Sequence, residues 1–349
     1  MNTPRPLDAL IARAAQNPVA LARLAGILLH KGERDRAQAL ALEALQAAPG
    51  DAEVRNLAAF VLSQGVPAWH FGLVRDTIRN AAYEAAIKRA VKPGMRVLEI
   101  GTGSGILAMM AARAGAAQVT TCEMVPSIAA AAAENVARNG LSGRVRVVAR
   151  KSYDLDVEAD MGGRADIFVS EIVSSTILSE DALPVTEHAV RELLKPGAQI
   201  IPARGAVRVA LAYDSGFDRM TMGTVSGFDL SAFNRLTLPF RELPRGGERL
   251  TLASEPADLF DFDFQSGGPF AAAAASVQVR STGGAANGIV QWIGLQLDGA
   301  GSYENNPVRG ETSAWAVIFW PFAAPRQYAP GQAVTVSGQH DRHTLRVWA

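Results

Sequence analysis

Between Val97 and Ala108 the chain reads VLEIGTGSGILA, an apolar run that ends in glycines on alternate positions and resumes as a helix-forming run. No other segment constrains the fold as much. It requires a strand of the buried type, followed at once by a helix that packs back over the strand's sheet. Gly101, Gly103 and Gly105 permit backbone torsions closed to other residues and let main chain approach a ligand closely. A dinucleotide fingerprint would need its third glycine at position 106, where Ile106 stands, so the spacing is GxGxG and weighs against NAD. Alone, such a turn is a weak signal, since a tight strand-to-helix connection with no ligand also accounts for it.

The neighbouring segments supply the context. RVLEI (96–100), QVTTC (118–122), RVRVVA (144–149), ADIFVS (165–170) and AQIIP (198–202) read as strands. Helical stretches at 78–91, 106–115 and 126–140 lie between them or ahead of them. Strands separated by helices predict an α/β, doubly wound, Rossmann-like parallel sheet over residues 67–202, with its ligand at the carboxyl ends of the strands. Residues 1–66 are rich in alanine and leucine at helical spacing and predict helical hairpins. From 203 to 349 the helical period fades into valine-rich runs and Gly-Gly turns, including Gly246-Gly247. Candidate strands at 206–213, 274–280, 288–297, 314–320 and 333–339 predict a β-rich, barrel-like third domain, with 230–250 as a projecting arm.

Composition narrows the function. Lysine plus arginine number 34 and aspartate plus glutamate 34, so no global basic field favours general nucleic-acid binding. Cys122 is the only cysteine, which excludes an internal disulfide, and five scattered histidines do not form a Cys/His metal cluster. The first residues lack an apolar core and no run of 18 apolar residues occurs, so neither a signal peptide nor a membrane span is expected. A reducing, cytoplasmic setting follows as the expectation.

Glu99 precedes the first glycine and Glu123 ends the next strand, a placement that resembles the S-adenosyl-L-methionine-dependent methyltransferases. Glu123 has the reach and the two acceptor oxygens to hold a ribose diol. Near the amino terminus Leu21, Leu24, Ala25, Leu28, Ala37, Ala41, Ala44 and Pro49 resemble a tetratricopeptide repeat, and about one and a half repeats fit before Gly65-Val66-Pro67. A structural or oligomer-forming brace and a protein-binding concave face are both compatible with that zone.

After the fourth strand, SEIVSSTILSEDALP (170–184) places Glu171 and Glu180 with eight residues between them. Glu180 and Asp181 read equally well as caps of the next helix. With PAWHFGLVRDTIRNAAYEAAIKRAV (67–91) upstream and SGFDLSAFNRL (226–236) downstream, however, the segment resembles the double-glutamate loop of the protein arginine methyltransferases. The likeness is strongest to the branch whose catalytic core follows tetratricopeptide repeats. It implies that Glu171 and Glu180 grip the arginine of a protein or peptide substrate and that Asp76 belongs to the catalytic lid. Arg79 would pair with the methionine carboxylate of the cofactor, S-adenosyl-L-methionine. The cofactor would lie along Glu99, Gly101, Thr102, Gly103 and Gly105, along Glu123 and Met124, and against Lys151 and Ser152 at its adenine. A homodimer through the arm is also implied, with no metal and no membrane involved.

Two carboxylates suit this chemistry. A guanidinium stays protonated below a pKa of about 12 and is a poor nucleophile while delocalised. Gripping it bidentately concentrates charge on the far nitrogens and aligns one nitrogen with the methyl donor. Two departures from the resemblance stand out. Family members carry a Thr-His-Trp loop whose histidine pairs with the lid aspartate, but this chain reads Ser313-Ala314-Trp315, leaving His70, His340 or His343 as candidate partners of Asp76. Ser174 stands where the symmetric-product branch has an acidic residue, and Tyr153 stands where a glutamate often approaches the adenine.

Overall fold

Asn17 and Asp51 begin helices for the same reason: each side chain accepts a main-chain N–H of the first turn that the helix itself leaves unbonded, Asn17 from Ala20 and Asp51 from Glu53 and Val54. The computed structural model describes residues 6–67, 69–216, 222–243, 249–308 and 313–349. Its first zone holds α1 (Pro6–Ala14), α2 (Pro18–His30), α3 (Arg34–Ala47) and α4 (Ala52–Ser63). Leu21, Leu24, Ala25, Leu28, Ala37, Ala41 and Ala44 are all buried in one small core, where the alanines let α2 and α3 approach. This zone does not stand alone, because Gln38 of α3 accepts a hydrogen bond from Ser127 Oγ at 3.1 Å, at the start of a helix in the next domain.

Next come α5 (Trp69–Val74) and α6 (Thr77–Ala90), then a sheet of β1 (Arg96–Ile100), β2 (Gln118–Cys122), β3 (Val145–Val148), β4 (Ala165–Ser170) and β5 (Leu194–Ile201). All pairs are parallel, in the order β3-β2-β1-β4-β5. The intervening helices are α7 (Ile106–Arg113), α8 (Pro126–Arg138) and α9 (Ala182–His188). Near-continuous burial along β1, β2 and β4 follows from helices on both faces. The order reverses between β1 and β4, where Ile100 lies beside Ser170, so the turn after β1 and the loop after β4 flank one crevice.

The rest is antiparallel. β6 (Arg204–Asp214) starts this region, and β7 (Thr224–Val225) and β8 (Phe228–Asp229) form a small hairpin. Then follow β9 (Arg241–Leu243), β10 (Leu250–Leu252), β11 (Ala257–Asp263), β12 (Ala273–Arg280), β13 (Gly284–Gln296), β14 (Ser302–Glu304), β15 (Val317–Tyr328), β16 (Ala333–His340) and β17 (Leu345–Trp348). One sheet runs β10-β6-β13-β15-β9 with β11 on β6 and β14 on β13, and a second runs β12-β16-β17. Phe260, Phe262, Val336 and Leu345 share the same core as the parallel sheet's Phe168 and Ile201, giving a barrel-like body packed on the α/β unit.

Several boundaries differ from the sequence expectation. β5 begins at Leu194, earlier than residue 198, and pairs across a register shift at Ala165/Ile167 that accommodates Pro196 and Gly197. β15 runs through Pro321 and Pro325 because its own residues 322–325 bulge out of the ladder opposite Ala286/Gly288, so no ladder N–H is needed from Pro325. β11 and β17 were not anticipated. The arm is also shorter than 230–250, since Arg241–Leu243 pairs with β15 and belongs to the sheet. What projects is the β7–β8 hairpin and the 3₁₀ turn Ser231–Leu236. Residues Pro244–Glu248, with the Gly246-Gly247 turn, and Ala68 of the lid lie outside the described residues. Among the described residues no helix is long and apolar enough to cross a membrane, and no group of three His, Cys, Asp or Glu is placed to hold a metal.

Candidate active site

The glycine turn has the torsions its residues allow. Gly101, Gly103 and Gly105 have φ of 87°, 50° and 82°, where side chains with a Cβ are strained. A Cβ on Gly101 would meet Ile172 Cγ2 at 2.5 Å, whereas one on Gly103 would meet nothing within 4 Å. Gly101 is therefore needed for packing against the glutamate loop, and Gly103 leaves open room beside the main chain. The turn is tied to β2 by the N–H groups of Gly101 and Thr102, which both donate to the Cys122 carbonyl at 3.1 Å.

Glu123 closes the other side of this turn. Its carboxylate accepts from Gly103 N–H at 3.3 Å and Val125 N–H at 3.0 Å. Glu99 is different: it is buried, accepts the Thr121 hydroxyl at 2.5 Å, and is pushed by burial up to about 8. Thr121 in turn lies 2.6 Å from the Thr102 hydroxyl. Glu99 thus braces the turn from within.

A cavity of about 600 Å³ opens over this floor. Its walls include Arg79, Glu99, Gly101, Thr102, Gly103, Glu123, Met124, Lys151, Ser152, Glu171 and Glu180, so twelve of the thirteen predicted site residues are accounted for with Gly105, which starts α7 just behind the wall. Gly65, from the end of the helical zone, Pro67, at the start of the next domain, and Trp69 and His70 of α5 complete one rim. Tyr153, at the position where the resemblance has a glutamate, lines the same cavity.

The exception is Asp76. It does not line the cavity, and it is not paired with His70, His340 or His343. It caps α6 by accepting Arg79 N–H at 3.0 Å, and its other oxygen accepts the Tyr303 hydroxyl at 2.8 Å and Ala314 N–H at 2.9 Å. The loop that lacks a histidine therefore still meets Asp76, through its main chain and through Tyr303, whose hydroxyl is also 2.8 Å from Ser313 Oγ. Trp315 packs edge-on against the Tyr303 ring. The sequence signal was weak because Tyr303 lies in a separate short strand.

Glu171 leaves the end of β4 and is nearly buried, with Oε2 accepting Arg79 Nη1–H at 2.6 Å. Burial pushes its carboxyl to about 8, with Arg79 opposing and Glu180 reinforcing the rise. Glu180 faces the open cavity between close walls, which push it to about 7, with Glu123 adding to the effect. Three buried polar atoms on the cavity lining have no partner: Arg79 Nε, Ser104 Oγ and Glu171 Oε1. Buried groups of this kind are normally satisfied, so they mark places where a bound molecule can complete the site.

The loop between the glutamates is held in a strained form. Ile177, β-branched and fully buried, has φ of 71°, and Asp181 has φ of 58°. Ser174 Oγ accepts N–H groups of Thr176 and Ser179, each at 3.2 Å, and Gln291 of β13 donates to the Ser175 carbonyl at 2.8 Å. Asp181, not Glu180, precedes α9, and its side chain makes no capping bond there.

Comparison with known proteins assigns the chemistry. This chain is 33% identical over 292 residues to an "Arginine N(omega)-methyltransferase" of Streptomyces achromogenes subsp. streptozoticus, covering 82% of this chain and 80% of that protein. The chain belongs to the arginine methyltransferase family. It is also 33% identical over 258 residues to "Protein arginine N-methyltransferase 7" of Oryza sativa subsp. japonica, covering 67% of this chain but only 35% of that longer protein. The family description that matches residues 83–210 is "Ribosomal protein L11 methyltransferase (PrmA)". Among solved structures, the fold is shared with "Trypanosoma brucei PRMT1 enzyme-prozyme heterotetrameric complex with AdoHcy", with TM-score 0.70 at 20% identity, covering 78% of this chain and 87% of that one. It is shared as well with Arabidopsis thaliana protein arginine methyltransferase 10, with TM-score 0.66 at 18% identity, covering 80% of this chain and 89% of that one. As an arginine methyltransferase the protein uses S-adenosyl-L-methionine as its methyl donor.

Proposed function

We propose that this arginine methyltransferase transfers a methyl group to a guanidinium nitrogen of an arginine gripped by Glu171 and Glu180. S-adenosyl-L-methionine supplies an electrophilic methyl on a sulfonium. The residues suited to hold it are Glu123, Gly101, Gly103 and the Lys151-Ser152 segment, with Arg79 for its carboxylate. The observation that carries the proposal is the pair of raised carboxyls on one cavity wall, one of them with an unpartnered oxygen, beside the glycine turn.

Both glutamates must ionise to grip a cation, and a guanidinium placed between them favours that state. Alignment of this kind supplies on the order of 7–11 kcal/mol, so no strong general base is needed before transfer. The proton leaves afterwards. Glu171→Gln should abolish transfer while cofactor binding persists, and full activity in that variant would end the proposal.

The acceptor is an arginine in a protein or peptide, or free arginine. The second is favoured by one observation: the relative matched over 82% of this chain is named for arginine itself, whereas the plant relative is named for protein arginine. Assaying L-arginine beside a short arginine peptide separates them. We also infer a homodimer through the arm, whose Phe228, Phe233, Leu236 and Leu238 are all more than 60% exposed. The helical zone acts as a brace, supported by the Gln38–Ser127 contact and by the position of Gly65 on the cavity rim.

A further inference from the structure

The loop that carries the two glutamates is anchored unequally. On the Glu171 side it has the Arg79 ion pair and the Gln291 bond, and the Ser174 hydroxyl knot ties its middle to Ser179. Glu180, at its far end, sits beside Asp181, whose backbone is left-handed and whose side chain gives nothing to its own helix. The partner of Asp181 comes instead from the tip of the hairpin joining β16 to β17: His343 Nδ1 lies 2.7 Å from Asp181 Oδ1. Because a carboxylate oxygen can only accept, Nδ1 carries the hydrogen, which fixes the ring's orientation.

That tip is built to hold its shape. Asp341 accepts the N–H groups of His343 at 2.9 Å and Thr344 at 2.6 Å, and its second oxygen accepts the Thr344 hydroxyl at 2.9 Å. Arg342 takes φ of 83° and reaches Glu187 Oε2 at 2.6 Å, at the other end of α9. Glu187 in turn accepts Phe270 N–H at 2.6 Å. One rigid turn therefore grips α9 at both ends, beside Glu180.

The geometry points to His343 as a positioning residue that fixes Glu180 for the substrate arginine, with Arg342–Glu187 as the second point of the same clamp. It rests on the proposal that Glu180 grips arginine. The histidine absent at Ala314 is thus not needed at Asp76, which Tyr303 serves, while a different histidine, from the carboxyl-terminal hairpin, steadies the loop.

The test is steady-state kinetics of the full-length protein with L-arginine and with a short arginine peptide, beside calorimetric binding of S-adenosylhomocysteine. His343→Ala should raise the arginine KM and lower kcat/KM about tenfold, while cofactor affinity and melting temperature stay at wild-type values, because the side chain is half exposed and its hydrogen bond is to Asp181. His343→Asn, which keeps a donor near the Nδ1 position, should recover most of the loss. Asp181→Ala combined with His343→Ala should be no worse than either alone. Wild-type kcat/KM in His343→Ala, or additive losses in the double variant, would overturn the assignment. Glu180→Gln separates the two levels: its inactivity alongside an unaffected His343→Ala rejects only the clamp, and its full activity rejects the grip itself.

Discussion

Arg79 donates Nη1–H to Glu171 Oε2 across 2.6 Å, and both side chains are nearly buried, so the guanidinium and the carboxyl face each other inside one cavity. Under the proposed function Arg79 is also the ligand for the cofactor's carboxylate. A carboxylate arriving there shares the guanidinium and leaves Glu171 more free charge for an arginine.

The first prediction is therefore thermodynamic coupling. L-arginine should bind several-fold more tightly when S-adenosylhomocysteine is saturating, and S-adenosylhomocysteine should tighten by the same factor with arginine present. Calorimetric titrations in both orders check it. Equal arginine affinities with and without S-adenosylhomocysteine would refute the shared role of Arg79.

The raised carboxyls set a pH dependence. Glu180 is pushed to about 7 and Glu171 to about 8, so at pH 6 the pair is largely protonated and cannot hold a cation. As pH rises through these values both ionise, and kcat/KM for arginine should climb between pH 6 and about 8 and then level, the two groups titrating as a coupled pair. A profile flat from pH 6 to 9 would contradict this.

Tyr303→Phe should expose how much the lid depends on the barrel. Asp76 keeps the N–H groups of Arg79 and Ala314 but loses its 2.8 Å hydroxyl donor, and a hydrogen bond to a charged group contributes about 1.5–3 kcal/mol. Urea denaturation should report a loss of that size, with weaker cofactor binding because Arg79 follows Asp76 on α6. An unchanged midpoint would mean that water replaces the hydroxyl without cost.

Glu99 offers a prediction about stability alone. Its carboxyl is raised from an unfolded value near 4.3 to about 8, so the folded state binds its proton more tightly than the unfolded chain does. The resulting stabilisation is complete below about pH 4.3 and is lost as pH rises to about 8. Glu99→Gln keeps an acceptor for Thr121 and lacks this loss, so its stability advantage over wild type should grow from pH 5 to pH 8, by on the order of a few kcal/mol. Urea midpoints at pH 5, 6.5 and 8 test it, and a constant difference would reject it.

The parallel sheet was legible because its determinants are local: alternating strand and helix periods, and three glycines that only one kind of turn requires. The cavity lining was legible for the same reason, since Gly101, Glu123 and Glu171 each directly follow a strand or end one. What escaped was contact between distant segments. Nothing in the short run around Tyr303 marks it as the partner of Asp76, 227 residues away, nor His343 as that of Asp181. The prolines of β15 hid a long strand, because they sit at a bulge of β15 itself, residues 322–325, where its pairing with β13 shifts register. The arm was overextended for a related reason: Arg241–Leu243 has a polar, irregular sequence and becomes a strand only through its edge position on β15.

Cys122 ends β2 almost fully buried, and burial pushes its thiol up to about 12. At neutral pH it offers almost no thiolate to an alkylating reagent. The natural chain is thus already a silent background for labelling, and a cysteine engineered on the arm, at Phe233 for example, would carry a spectroscopic probe with no competing thiol to remove first.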